Sequence, residues 1–151
     1  MILPIWLFVL ATVIAVVGIV FYFKKFISDL QTKMDNNEEV TTTSIQKENS
    51  RFFLRVMLVE AVPIVLVVIG FMLFESVGVV RVMDVLPALI IIAVTFIAGV
   101  ANIFLARGQL LSGRDVSSQA KAAILSMTFV GISLTAAFPI ISFVAIMILF
   151  G

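Results

Sequence analysis

The sequence predicts an all-α integral membrane protein with four transmembrane helices, and three observations predict it. Of its 151 residues, 62% are hydrophobic and 13% charged, with a mean hydropathy of +1.25. Soluble domains carry about a quarter charged residues. Four apolar runs each reach the roughly 20 residues that a helix needs to cross the hydrocarbon of a bilayer. The polar residues collect between those runs, where a chain leaves the membrane.

The first run, Ile2 to Phe23, is apolar apart from Thr12 and stops at Lys24-Lys25. A cleaved leader has its basic residues before a shorter apolar stretch, so this is read as a retained helix. Its Ala11, Ala15 and Gly18 fall at i, i+4 and i+7, a small-residue face that lets helix backbones approach closely in lipid. Phe26 to Ser50 is polar, and Asp35-Asn-Asn-Glu-Glu39 and Thr41-Thr-Thr-Ser44 suit a loop or frayed helix ends outside the bilayer. Phe26, Ile27, Leu30 and Met34 keep helical spacing, which predicts that the first helix projects a turn or two into water.

The second span is Phe52 to Phe74, followed by a short connection from Glu75 to Arg81. The third runs from Val82 to Arg107, with Pro87 near its start, where proline is tolerated. After the small-rich polar stretch Gly108 to Lys121, the fourth runs from Ala122 to Phe150. Asn102, Thr95 and Thr135 read as helix–helix hydrogen-bond donors, and Arg107, Arg114 and Lys121 as anchors near lipid headgroups.

Lysine and arginine set the expected orientation. The first connection and its helix ends hold Lys24, Lys25, Lys33, Lys47, Arg51 and Arg55; the third holds Arg107, Arg114 and Lys121; the middle holds only Arg81. The positive-inside rule then places connections 24–51 and 107–121 in the cytoplasm and both termini outside. The bacterial cell membrane is the expected location. A net charge of +1 gives no reason to expect nucleic-acid binding. With no Cys and no His, disulfides, zinc sites and imidazole catalysis are excluded. No nucleophile–base pair or ligand cluster stands out, so no catalytic residue, cofactor or metal site is expected.

One carboxylate lies deep inside a span. Glu60 lies in Val56-Met-Leu-Val-Glu-Ala-Val-Pro-Ile64, within the second run. A charge near the middle of a membrane helix costs about 3 kcal/mol on insertion scales, so such a carboxylate must be neutral, paired or part of an ion path. Pro63 lacks an N–H, so the Val59 carbonyl loses its helical donor. Where the two lie close, that carbonyl accepts a hydrogen bond from the protonated acid, making Glu60, Val59 and Pro63 the candidate proton-binding group. Sodium would need several oxygen ligands, and the adjacent Ala61 and Val62 offer no hydroxyl. Arg55 is five residues before Glu60, about 140° around the helix. A direct pair within that helix is not expected.

The second and fourth spans repeat one another. Phe53, Leu58, Ala61, Pro63, Ile64, Val68, Leu73 and Phe74 are matched 76 residues later by Phe129, Leu134, Ala137, Pro139, Ile140, Val144, Leu149 and Phe150. The predicted unit is a two-helix hairpin repeated in parallel orientation, 1–76 carrying Glu60 and 77–151 carrying Ala136 in its place. Parallel repeats are related by an axis along the membrane normal, a geometry that extends to a ring.

Leu58-Val-Glu-Ala-Val-Pro-Ile64 resembles the carboxylate motif in the second helix of the proteolipid c subunit of rotary ATP synthases. Ala106-Arg107 with Arg114 resembles the basic residues at that family's hairpin loop, and Phe129 to Ile140 looks like its carboxylate helix with the acid lost. The duplicated form is similar to vacuolar-type proteolipids. The resemblance implies a homo-oligomeric ring in which Glu60 loads a proton, turns through lipid while neutral, and releases it beside an intramembrane Arg of a proton-channel subunit. Three features support an alternative, a c-like scaffold without rotary coupling. The first helix has only Gly18 where the family has a glycine ladder, the loop signature reads Arg114-Asp115-Val116, and the second acid is replaced by Ala136; the first connection is also longer than the family's tight loop.

Overall fold

The computed structural model describes residues 3–36, 42–111 and 118–150. Every expected span is a helix: α1 Leu3–Asp35, α2 Thr42–Met72, α3 Val82–Leu111 and α4 Ser118–Phe150. All four are long and apolar enough to cross a membrane, and the described residues contain no strand. A 3-10 turn, Phe74–Ser76, and residues 77–81 link α2 to α3. There the Arg81 N–H donates to the Asp84 carboxylate at 3.2 Å. The acid thereby holds a backbone donor at the helix entry and sits favourably at the positive end of the helix dipole.

The polar segment departs from the loop expected between Phe26 and Ser50. α1 runs on to Asp35 and α2 already begins at Thr42. Of the predicted loop, Asn37 to Thr41 lie outside the described residues, as does Arg114-Asp115-Val116. The reason for the added helix is an apolar seam that continues past the membrane. Phe23, Phe26, Ile27 and Leu30 of α1 and Phe52 and Val56 of α2 share one buried cluster, and Ile45 of α2 is buried as well. Their three- and four-residue steps place them on facing stripes. The Phe52 ring meets those of Phe26 and Phe23, with centroids 6.0 and 6.3 Å apart.

Three helices enclose α1. Ile5, Phe8, Ala11, Thr12, Ala15, Ile19 and Phe23 have no exposed surface at all. α2 and α3 pack on α1 without packing substantially on each other, and α4 lies across α1 and α3. The expected small-residue face is where α1 comes closest to its neighbours. Ala11 and Ala15 are buried with Phe138 of α4 and with Leu66 and Val67 of α2. Gly18 lies directly under Val59, and a Cβ there would collide with the valine Cγ1. On α3, a Cβ at Gly99 would stand 2.6 Å from Val16 Cγ1 and 2.9 Å from Thr135 Cγ2.

The 76-residue offset recurs in this packing. Val59 sits on Gly18 and Thr135, its counterpart, on Gly99. Glu48, Phe52, Pro63 and Gly70 are buried, and so are Ile124, Thr128, Pro139 and Ile146 at the same offset. α1 and α4 are also joined by hydroxyls. Thr12 Oγ1 and Ser142 Oγ lie 2.7 Å apart. One hydroxyl donates to the other, and the second donates to a carbonyl across the interface, that of Phe8 at 3.1 Å from Ser142 or that of Phe138 at 3.4 Å from Thr12. Interhelical hydrogen bonds in membranes average about 0.6 kcal/mol each, so the pair fixes register more than it supplies stability.

The glycine contacts yield a test by thermal unfolding in detergent. Gly99→Ala presses on two β-branched side chains, which are stiff at χ1, and should destabilise by about 1–3 kcal/mol, the usual cost of overpacking. Gly18→Ala, facing one valine, should cost less. Gly108 has open space around its Cα, so Gly108→Ala should stabilise by up to about 1 kcal/mol through helix propensity.

Candidate functional site

α2 carries the candidate group through its contact with α1. Val59 is seated on Gly18 and Pro63 is buried one turn further on. Successive residues advance by about 100° around a helix, so Glu60 is turned off the seam. It is half-buried, beside the exposed Ala61 and Val62. Eight residues separate it from Phe52 and twelve from Met72, about 12 and 18 Å along the axis. It therefore lies well inside the ~30 Å hydrocarbon layer that this helix can span.

Among the described residues, Glu60 makes no hydrogen bond and no ion pair, and the Val59 carbonyl receives no bond from it. The valine's contribution is its side chain, which sets the α1–α2 distance. Arg55 instead faces Asp29 of α1 at 3.9 Å, in keeping with the helical angle that separates it from Glu60. The counterpart Ala136 on α4 is half-buried.

A second carboxylate has the opposite environment. Glu48 is 2% exposed and bonded to Lys33 at 3.2 Å and to Arg51 at 3.3 Å, where α1 and α2 continue beyond the apolar spans. Sequence reading did not single it out within the polar segment Phe26 to Ser50. The signal was present, since Glu48 follows Ile45 by three residues and precedes Phe52 by four, at a seam position held by an acid. Asn102 joins helices as expected, though as an acceptor: Lys24 Nζ donates to its Oδ1 at 2.8 Å, while its own amide donates to the Ala98 carbonyl. Thr135 departs from expectation, because its hydroxyl donates within α4 to the Gly131 carbonyl at 2.7 Å.

No family model, curated protein or solved structure matches the chain. What the site can do is therefore argued from its chemistry. It offers one half-buried carboxyl group within an apolar helix, unpaired among the described residues.

The two acids predict opposite responses. Glu60→Gln removes no contact in the chain and should leave thermal stability within about 0.5 kcal/mol, as for substitutions away from specific interactions. Lys33→Met combined with Arg51→Met strands Glu48 without a counter-charge and should cost about 3 kcal/mol, the lower end for breaking buried pairs. Denaturation in detergent micelles reads both.

Proposed function

We propose that the chain is a c-subunit-like proteolipid of the bacterial cell membrane, forming a homo-oligomeric ring in which Glu60 reversibly binds a proton. The observation that carries this reading is the unpaired carboxyl itself. Glu60 lies deep in the apolar part of α2, and among the described residues it has no partner. Intramembrane ionisable groups face bundle interiors, water or one another and mark ion pathways. In this reading Glu60 takes its partner from outside the chain, either a neighbouring copy or a separate proton-channel subunit with an intramembrane Arg.

The repeat supports the ring. α2 and α4 share the 76-residue match, and at that offset Val59 meets a glycine of α1 and Thr135 a glycine of α3. Read as two tandem hairpins, residues 1–76 and 77–151, the four helices extend by further copies around an axis along the membrane normal. Connections 24–51 and 107–121 then lie in the cytoplasm, with both termini outside.

A non-rotary scaffold is the second reading, and one feature favours it. α1 and α2 continue past Lys24 as an ion-paired helical pair, an extension that the compact hairpin of a rotary ring does not need.

Dicyclohexylcarbodiimide modifies carboxyls that are protonated in apolar surroundings. Applied to the purified protein in mild detergent and read by mass spectrometry, it should label Glu60 selectively, less as pH rises, and leave Glu60→Gln unlabelled. A Glu60 that stays unreactive at every pH would instead establish the scaffold.

A further inference from the structure

We propose that the surface groove between α1 and α3 binds one anionic phospholipid, with an acyl chain along its apolar length and the phosphate at Lys24. The groove has a volume of about 460 Å³ and is lined by apolar residues such as Val13, Val17, Val94 and Ala98 until it ends at Lys24 and Asn102. From Val13 to Lys24 is eleven residues, about 16 Å of helix. One leaflet of hydrocarbon is half of ~30 Å, or about 15 Å, so the apolar stretch has the length of a lipid tail.

The polar end is built to take a phosphate. Lys24 and Asn102 also line a second groove, of about 400 Å³, with Ser28, Gln31 and Gln109. The two grooves thus meet at one ammonium group. Lys24 donates one N–H to Asn102, which is itself fixed by its bond to the Ala98 carbonyl. An ammonium has three donors, which leaves two for a ligand. Neither groove is lined by a carboxylate, and Lys25 adds a second exposed cation beside the first. Charge complementarity therefore selects an anionic headgroup, as in other basic pockets between membrane helices.

Native mass spectrometry of the full chain in mild detergent tests this, with phosphatidylglycerol and phosphatidylcholine of identical tails. One lipid should be retained per chain, with phosphatidylglycerol preferred by roughly fivefold, the ratio expected of one lysine at an anionic surface. Lys24→Ala should remove that preference, whereas Lys47→Ala, an exposed cation elsewhere, should keep it. Ala98→Phe, which fills the apolar groove and leaves Lys24 in place, should weaken retention of both lipids, and a thermal scan establishes that each variant is folded. Equal retention of the two lipids, unchanged binding in Lys24→Ala and Ala98→Phe, the same protection by inorganic phosphate alone, or a second copy of the chain in the groove would each overturn the proposal. Its outcome is independent of the labelling of Glu60.

Discussion

The close approach of α2 to α1 at Gly18 decides what Glu60 can do. Val59 occupies the space that a side chain at position 18 would fill, and Pro63 follows it into the interface one turn later. Those two contacts fix the rotation of α2 about its axis. Glu60, one residue past Val59, is thereby carried to the rim of the interface and no further. A larger residue at position 18 would push the helices apart and release that rotation. Packing and chemistry are thus coupled at a residue that has no side chain.

The same helix pair treats two acids in opposite ways, and the difference follows from depth. Glu48 lies where α1 and α2 leave the apolar spans, so lysine and arginine stems can reach it while their charged heads stay near water. Its full burial is tolerated because both cations are in place. Glu60 lies about three turns deeper, and among the described residues no cation is paired with it. A permanent charge there would stand against the solvation cost alone. An acid in that position makes physical sense only as a group that can be neutral, or that meets its counter-charge on another molecule.

Hydropathy made the four spans and the depth of Glu60 legible, because both depend on apolar length. It could not place the ends of α1 and α2. Their outer turns are polar on most faces, and the seam that makes them helical is narrow, with an acid at one of its positions. The spacing of Ile45, Glu48, Phe52 and Val56 contained that information, but a charged residue reads as surface until its partners are known. At the candidate site the motif named Glu60, Val59 and Pro63, and the structure adds a packing contact that the motif does not contain. Val59 matters through a methyl group against Gly18, and no spacing rule reveals which glycine of another helix a side chain will meet. The small-residue face was readable because i, i+4 and i+7 define a stripe whichever helix covers it.

The two helices that share the 76-residue match are held differently. α4 packs across both α1 and α3 and is tied to α1 through Thr12 and Ser142, whereas α2 packs substantially on α1 alone. A helix held by one neighbour keeps more free circumference than a helix held by two. Glu60 stands on the less encumbered helix, and the residue at its offset on the other is Ala136. An acid on α2 therefore competes with less packing than one on α4 would.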